Sequence, residues 1–339
     1  MDYATSPSHL KPFVHQVAGH IPHAENNKLG FLECSDSTVL KPAQKAESGF
    51  RESEFYRSVF DNSVEERLVL QLRRHLPQYF GIQKINGLAN YLKLENVVSK
   101  FRKPCIMDIK IGRKTYDPSA NPVKIARSVY KYPHNVRLGF QISGMQVYDP
   151  EDGSYKTYDK QICRNWGEEN ITNGLDIFFG NEKKRPEIIK SVLNKLRSIE
   201  DWFQNQRKFA FYSSSILIVF EGDSTSVQTP KKLRRHLSRP PLTHRESNVL
   251  TNAKSCIDVN CPTERQWRGS FHRSLSENAW NSNRTDDENS KNNDENNKDN
   301  DVELKMIDFT HVWNTEQQDQ NYLFGLQNVI HHVELLLER

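Results

Sequence analysis

The segment PCIMDIKIG at residues 104–112 places two charged side chains inside an otherwise apolar stretch. Asp108 and Lys110 stand two positions apart, and alternate residues of a β-strand point to the same face of the sheet. Phosphoryl transfer to an alcohol requires an acceptor for the hydroxyl proton and a cation beside the phosphoryl group. An ordinary ion pair at the end of a strand is the commoner explanation for this motif taken alone.

Other charged residues occur along the chain in an order typical of kinases. Lys41 follows an apolar strand and precedes a helix that carries Glu52 and Glu54, as a phosphate-holding lysine precedes its helical glutamate partner. Asp308 lies in an apolar-apolar-Asp-Phe context, and Mg²⁺ is commonly held by one or two carboxylates together with substrate phosphates. The chain has no GxGxxG, GxxxxGK[ST] or HRD segment, which disfavours a protein kinase and a P-loop kinase.

The elements that must position these residues are predicted from hydrophobic periodicity. Short strands are predicted within 13–41, and further strands at 91–98, 137–149, 213–222 and 304–309. Helices are predicted at 50–60, 64–76, 187–203 and 323–337. The helix at 187–203 has a continuous apolar face, which we interpret as core rather than as a cofactor site.

The polar segment at 113–137 contains a second group of cations. Lys124, Arg127 and Lys131 recur at three- and four-residue intervals, which places them on one face of a short helix. A solvated surface helix is the ordinary explanation for that pattern. The alternative is a site for a polyanion, which needs several convergent cations.

Residues 223–303 show no sustained periodicity and read as a disordered, low-complexity insertion. The stretch at 286–301 consists mainly of acids and asparagines without an apolar residue, so it cannot offset an ordering entropy of roughly 1–2 kcal/mol per residue. The strand and helix that follow are expected to complete the preceding domain. The basic run at 231–245 indicates either a nuclear localisation signal or a generic basic patch.

Composition excludes several classes of function. The 339 residues carry a net charge of +4, which is too small to argue for direct nucleic-acid binding. The five cysteines are scattered, and Cys256 and Cys261 have no second Cys/His pair to complete a zinc site. We expect no signal peptide, membrane span or amphipathic membrane helix, so any work on a lipid would be transient and would rely on the basic face.

Three ordered segments of the chain resemble the inositol polyphosphate kinase family. PCIMDIKIG is similar to the family signature PxxxDxKxG, SSSILIVFEG at 213–222 to its SSLL segment, and MIDFTHVW at 306–313 to its IDF segment. The multikinase branch fits best, because the segment after the signature is short, whereas the trisphosphate 3-kinases carry a much longer insert there. The resemblance implies an α+β, two-lobed protein-kinase-like fold with ATP between the lobes and a short inositol-phosphate-binding helical segment.

The same resemblance implies the division of the chain. Residues 1–98 would form the N-lobe and hinge, and residues 99–222 the first part of the C-lobe, with the substrate-binding segment at 113–137. The insertion at 223–303 would interrupt the C-lobe, which residues 304–339 would complete.

Residue roles also follow from the resemblance. Lys41 would hold the ATP phosphates, and Glu95 and Val97 would present backbone groups to adenine. Asp108 would orient either the nucleotide or the attacking hydroxyl, and Asp308 would bind Mg²⁺. Lys110 would neutralise the transferring phosphoryl group. The substrate phosphates would contact Lys110, Lys124, Arg127, Ser128, Lys131, Lys160 and His311.

The implied activity is ATP- and Mg²⁺-dependent phosphorylation of inositol tris- and tetrakisphosphates to the pentakisphosphate, with phosphatidylinositol bisphosphate as an additional lipid substrate. We expect a monomer in the nucleus and cytoplasm that binds protein partners through the insertion. The alternatives are a single-specificity inositol trisphosphate or hexakisphosphate kinase and a nuclear scaffold that uses a kinase fold.

Overall fold

The computed structural model describes residues 10–18, 30–44, 46–85, 89–181, 184–223 and 301–338. These residues all belong to one compact unit of the chain. The predicted disordered insertion, the basic run at 231–245 and the cysteines at 256 and 261 lie outside the described residues.

A five-stranded antiparallel sheet forms the N-terminal part, in the order β1-β2-β3-β5-β4. Its strands are β1 (Lys11–Pro12), β2 (Leu32–Glu33), β3 (Thr38–Pro42), β4 (Tyr79–Ile85) and β5 (Ala89–Glu95). Two helices, α1 (Ala46–Phe60) and α2 (Arg67–Leu72), and a 3₁₀ turn (Arg73–His75) lie between β3 and β4. The edge strand β4 was not predicted, because a register irregularity and exposed apolar residues obscure its alternation.

A second five-stranded antiparallel sheet and a two-stranded sheet follow. Their strands are β6 (Pro104–Ile111), β7 (Phe140–Asp149), β8 (Ser154–Tyr158), β9 (Phe209–Phe211), β10 (Ser215–Glu221), β11 (Val302–Ile307) and β12 (Val312–Asn314). The larger sheet has the order β11-β10-β6-β7-β8, and β9 pairs with β12. Strand β6 is therefore central and buried, which explains its nearly continuous apolar sequence.

Six helices complete the described chain. They are α3 (Pro122–Lys131), α4 (Asn135–Leu138), α5 (Lys160–Cys163), α6 (Ile171–Phe178), α7 (Pro186–Asn205) and α8 (Gln320–Glu334). The predicted apolar face of α7 is buried from Ile188 to Phe203, which confirms its assignment to the core. No helix in the described part of the chain has the length and apolar character needed to cross a bilayer.

Strands β10 and β11 form the antiparallel pair that was predicted to flank the insertion. Phe220 lies opposite Val302, and Ser215 lies opposite Ile307. Strand β11 thus begins at Val302, slightly before the boundary predicted at Leu304. Composition did not reveal this start, because backbone pairing with β10 determines it.

An aromatic cluster joins helix α1 to the segment that follows β11. The ring of Phe309 is fully buried and lies 4.6 Å from Phe55 and 5.3 Å from Tyr56 on α1, measured between centroids. Burying a side chain of this size stabilises a fold by roughly 1.5–3 kcal/mol. Phe309 therefore anchors the segment that carries Asp308.

Candidate active site

Asp108 is a buried acid in the middle of the central strand β6. It pairs with Leu217 of β10 and Gly144 of β7, and the β6–β7 register shifts between Asp108 and Ile109. Such an irregularity re-aims side chains and often lies beside an active site. Its Oδ1 atom is buried and makes no hydrogen bond within the described residues.

The surroundings of Asp108 favour its protonated form more than water does. Burial, and then the negative charge of Asp308, raise the pKa of Asp108 to about 6, against the opposing effects of Lys110 and of the Ser215 and Ser143 hydroxyls. The strand register agrees with the expected proximity of Asp308 to the Asp108–Lys110 pair. Ile307, which precedes Asp308, pairs with Ser215, and Ser215 pairs with Lys110 on the other side. A carboxyl group with a pKa near neutrality suits proton transfer or a hydrogen bond to a hydroxyl.

Lys110 is held by the serine segment that precedes β10. Its Nζ donates to the carbonyl oxygen of Ser213 at 2.8 Å. Ser213 has a left-handed backbone with φ of 58°, and its hydroxyl donates to the carbonyl of Thr115 at 2.6 Å. The segment similar to the family's SSLL motif thus orients Lys110 and connects it to the polar segment after β6.

Gly112 ends the signature at a position that excludes a side chain. Its φ is 113°, and an added Cβ would lie 2.7 Å from Nδ2 of Asn321. Its N–H donates to the carbonyl of Gly139 at 2.7 Å. Glycine is required here because other residues rarely adopt this backbone conformation, and the resulting turn directs residues 113–121 away from β6.

Lys41, Glu52 and Asp308 form a charged triad, in which Lys41 and Glu52 are buried and Asp308 is partly exposed. The Nζ atom of Lys41 lies 2.7 Å from Glu52 Oε1 and 2.5 Å from Asp308 Oδ1. Burial alone would lower the pKa of Lys41, but the charges of Asp308 and Glu52 raise it above its ordinary value. Glu52 also accepts the backbone N–H of Phe309 at 3.0 Å, so it positions both partners.

The predicted lysine–glutamate pairing is confirmed, with Glu52 rather than Glu54 as the partner. Glu52 is completely buried on the face of α1 that also carries Phe55. Glu54 lies on another face and pairs with Arg57 at 3.0 Å. Residues two positions apart on a helix point in directions that differ by about 200°, so Glu52 can face Lys41 only if Glu54 faces elsewhere.

The predicted adenine hinge follows β5. The backbone N–H of Glu95 donates to the carbonyl of Gln78 at 2.9 Å, so it is not available to a base. The side chain of Asn96 is buried and accepts the N–H of Val98 at 3.1 Å, which fixes the turn around Val97. The arrangement is consistent with the Glu95 carbonyl as acceptor and the Val97 N–H as donor toward adenine.

The carboxylates fit a divalent cation that also binds phosphates. The side chain of Asp308 is 36% exposed, and its backbone is left-handed with φ of 65°, which turns the chain sharply at the end of β11. No group of three or more His, Cys, Asp or Glu residues in the described ranges is arranged to hold a metal ion. Asp308, together with Asp108, would supply the one or two carboxylates that Mg²⁺ commonly uses beside phosphates.

Cations from three elements converge beside Asp108. Partial desolvation by the surrounding protein lowers the pKa of Lys131, and Arg127, Arg164 and Lys110 lower it further. Partial desolvation also lowers the pKa of Lys160, and Arg164, Lys110 and Lys131 add to this effect. Lys131 and Lys160 are thus both repelled by Arg164 and Lys110, and Arg127 adds to the repulsion on Lys131. A bound polyanion would relieve this repulsion.

Arg164 also belongs to this group of cations and was not predicted from the sequence. Its position four residues after Lys160 is the one sequence signal that could have identified it, since such residues lie on one helix face. The Nε atom of Arg164 is buried and makes no hydrogen bond to any described residue. A buried donor without a partner is a candidate ligand for an anion.

Three predicted substrate residues are linked to other groups of the chain. Lys124 Nζ and His311 Nδ1 lie 3.4 Å and 2.6 Å from the buried carboxylate of Asp117. The hydroxyls of Ser128 and Thr115 are 2.5 Å apart. These contacts connect α3 to the segment after Asp308, and Asp117 was not identified from the sequence.

The charge states of this group follow from its environment. Burial would raise the pKa of Asp117, but hydrogen bonds from Ser119 and the charges of His311 and Lys124 hold it below its ordinary value. Burial lowers the pKa of His311, and Asp117 only partly opposes this. Because Nδ1 lies 2.6 Å from the Asp117 carboxylate, a neutral His311 carries its proton on Nδ1, and Nε2 can donate to a phosphate only when the ring is protonated.

Comparison with known proteins places this arrangement in context. A family model described as inositol polyphosphate kinase matches residues 91–334. The chain is 34% identical to the inositol polyphosphate multikinase of Mus musculus, over 96% of this chain and 92% of that protein. It is 25% identical to the inositol hexakisphosphate kinase 1 of Homo sapiens, over 96% of this chain and 72% of that protein.

The structure is also similar to a crystal structure of the inositol phosphate multikinase of S. cerevisiae in complex with ADP and Mn²⁺. The TM-score is 0.57 at 21% identity, and the match covers 88% of this chain and 99% of that chain. At this level of identity the similarity shows a shared fold, which confirms the fold class predicted from the sequence.

Proposed function

The chain belongs to the inositol polyphosphate kinase family, and we propose that it is an ATP-dependent multikinase that converts inositol tris- and tetrakisphosphates to the pentakisphosphate. The observation that carries the proposal is the convergence of the Lys41–Glu52–Asp308 triad with Asp108, Lys110 and the surrounding cations. The greater identity to multikinases than to hexakisphosphate kinases supports the broader activity.

ATP and Mg²⁺ are the proposed nucleotide and metal. Lys41 would bind the ATP phosphates, while Glu95 and Val97 would hold adenine through their backbone groups. Asp308 would be the principal metal ligand, and the bound ion would neutralise charge on the phosphates. A multikinase of similar fold has been crystallised with ADP and Mn²⁺, which supports a divalent cation at this site.

The reaction joins a hydroxyl oxygen of the inositol ring to the γ-phosphorus of ATP. The bond between that phosphorus and the β–γ bridging oxygen breaks, ADP leaves, and the hydroxyl loses its proton. Lys110, fixed by the Ser213 carbonyl at 2.8 Å, would neutralise charge that develops on the transferred group. Asp108 would either accept the hydroxyl proton or orient the nucleotide, and these two roles predict different kinetic effects.

The cation cluster would bind the phosphates that are not being transferred. Lys131, Lys160 and Arg164 lie near Lys110, and Arg127 extends the group along α3. Several cations around one site can accept a ring in more than one orientation, because each phosphate finds a partner. This arrangement favours a permissive kinase over a single-isomer enzyme.

Product analysis tests the function directly. The full-length protein is incubated with ATP, Mg²⁺ and a panel of inositol phosphates beginning with inositol 1,4,5-trisphosphate, and the products are separated by isomer. We expect successive phosphorylation to the pentakisphosphate. A single product from a single substrate would identify a narrower kinase, and an absence of transfer would favour the scaffold alternative.

The remaining proposals concern the setting of the enzyme. We propose a monomer in the nucleus and cytoplasm, with the basic run at 231–245 as the import signal and the insertion as the site for protein partners. Phosphatidylinositol bisphosphate is proposed as an additional substrate, since its headgroup is a phosphorylated inositol. Light scattering tests the monomer, and fluorescence microscopy of a fusion with neutralised 231–245 tests the import signal.

A further inference from the structure

Helix α3 turns apolar side chains toward solvent. None of its residues is buried, and the side chains of Val123 and Tyr130 are 75% and 88% exposed. A surface helix normally directs its apolar stripe toward the core and its charged stripe toward water. The exposure of these apolar side chains therefore has no explanation in the packing of the described residues.

The exposed apolar residues form a stripe rather than a scatter. Val123, Ala126 and Tyr130 stand at helical spacings of three, four and seven, which places them on one side of α3. Val129, at the margin of this side, is also exposed. The Ser128 hydroxyl, on the opposite side, contacts Thr115 and attaches the helix to the protein.

A basic stripe runs beside the apolar one. Lys124, Arg127 and Lys131 share this second stripe, and α3 contains no acidic residue. The proposed kinase activity uses the cations, because they neutralise substrate phosphates. It gives no role to Val123 and Tyr130, since a soluble inositol phosphate has no apolar surface to meet them.

We propose that α3 is a docking surface for an anionic lipid bilayer, in which Val123 and Tyr130 enter the headgroup region while Arg127 and Lys131 pair with lipid phosphates. Helices with adjacent apolar and basic stripes bind anionic bilayers. The apolar stripe is buried at the bilayer interface, and the basic stripe is attracted to the lipid phosphates. The charge of the basic stripe selects an anionic bilayer over a neutral apolar partner.

This docking deepens the proposed function. Arg127 and Lys131 belong to the cation cluster that contains Lys110, so a membrane bound at α3 would lie beside the site of phosphoryl transfer. A phosphorylated inositol headgroup could then reach that site without leaving the bilayer. An amphipathic membrane helix was not predicted from the sequence, because the basic spacing of this short helix concealed its apolar stripe.

Vesicle sedimentation with the full-length protein tests the surface. Vesicles contain phosphatidylcholine alone, or with phosphatidylserine, or with phosphatidylinositol bisphosphate. The test variant is Val123→Ser/Tyr130→Ser. The matched control is Phe80→Ser/Ile82→Ser, which removes an aromatic and a β-branched residue of 55% and 46% exposure from the edge strand β4.

We expect wild type and the β4 control to bind both kinds of anionic vesicle and the α3 variant to bind at least about tenfold more weakly. ADP release with soluble inositol phosphates is measured on the same preparations and should be equal in all three proteins. Because sedimentation needs no catalysis, failure of the kinase assignment and failure of the docking surface give different results.

Four outcomes would overturn the proposal. Wild type could fail to bind anionic vesicles, or the β4 control could lose as much binding as the α3 variant. Undiminished binding of the α3 variant to bisphosphate vesicles would show headgroup capture by the cation cluster without a docking surface. A wild-type dimer that Val123→Ser/Tyr130→Ser dissociates, with no vesicle binding, would identify the stripe as a self-association surface.

Discussion

Lys41 Nζ and Asp308 Oδ1 lie 2.5 Å apart, although 267 positions separate the two residues in the chain. Lys41 belongs to β3 of the first sheet, and Asp308 follows β11 of the second. Glu52 fixes both, since it accepts Lys41 Nζ and the N–H of Phe309. The proposed phosphate-binding lysine and the proposed metal ligand are thus positioned by one buried carboxylate.

Substituting Glu52 by Gln should impair ATP use more than any other single change on α1. With a neutral amide at position 52, Lys41 is attracted to Asp308 alone. Lys41 then competes with the proposed metal for the Asp308 carboxylate. We expect kcat/KM for ATP to fall about 100-fold, and the free energy of unfolding to fall by about 1–3 kcal/mol. ATP titrations and thermal denaturation measure these effects.

Glu54→Gln is the matched control on the same helix. Glu54 pairs with Arg57, whose side chain is 64% exposed, and such surface pairs contribute about 0–1 kcal/mol. Activity and stability close to wild type are expected. Equal losses in both variants would show that any charge change on α1 has this effect and would remove the special role of Glu52.

Asp108→Asn and Lys110→Ala should each lower kcat by about 10³-fold or more while the protein remains folded. Circular dichroism checks the fold, and Lys156→Ala is the control, since that lysine pairs with Asp149 on the exposed β7–β8 hairpin. If Asp108 accepts the hydroxyl proton, kcat falls with KM for ATP unchanged. If it orients the nucleotide, KM for ATP rises. Near-normal turnover in both variants would exclude this motif as the centre of the chemistry.

Arg164→Ala should weaken substrate binding with little effect on the chemical step. We expect KM for an inositol tetrakisphosphate to rise about tenfold or more, since a charge-assisted hydrogen bond to phosphate is lost, and kcat to change little. Arg164→Lys should restore part of the affinity. Arg137→Ala is the control, because that side chain is 80% exposed and pairs with Glu168. An unchanged KM in Arg164→Ala would show that Arg164 does not bind the substrate.

Much of the fold could be predicted because its central elements carry strong patterns. The continuous apolar runs of β6 and β10 follow from burial on both faces, and the face of α7 follows from helical periodicity. Strand β4 was missed because Phe80 and Ile82 are exposed on an edge strand. The short helices α5 and α6 were also missed, because they are too brief for periodicity to show.

The site was less predictable than the fold, since its geometry depends on tertiary contacts. The charges of Lys41, Asp108 and Asp308 stand out in the sequence, yet nothing there distinguishes Glu52 from Glu54. Asp117 was also overlooked. It lies in a polar loop. Its role depends on contacts with Lys124, which is close in the sequence, and with His311, which is near the far end of the chain.

A buried histidine predicts how stability responds to acid. Burial, and then the charges of Arg74, Lys305 and Lys195, lower the pKa of His75 to about 3. The unfolded chain, with an ordinary histidine pKa, binds a proton that the folded chain does not between pH 6.5 and 3. The free energy of unfolding therefore falls as the pH drops through that window.

Denaturant unfolding of His75→Gln measures this effect. Between pH 6.5 and 5, wild type should lose about 2 kcal/mol more than the variant. His331→Gln, on the exposed side of α8, is the control and should follow the wild-type curve. Parallel curves for wild type and His75→Gln would show that this histidine does not contribute to acid sensitivity.

Replacing residues 225–300 by a short Gly/Ser linker should leave the kinase folded and active. Val302 pairs with Phe220 where β10 and β11 adjoin the insertion, so the described strands on either side of it are already held together. Hairpin connections of a few residues are common. Shortening the loop also lowers its closure entropy, although only by about 1–2 kcal/mol. We expect unchanged kcat and KM for inositol phosphates and an equal or higher melting temperature, whereas binding partners and subcellular location would change. A linker still joins β10 to β11. A shortened protein that no longer folds would therefore show that the insertion contributes to the core.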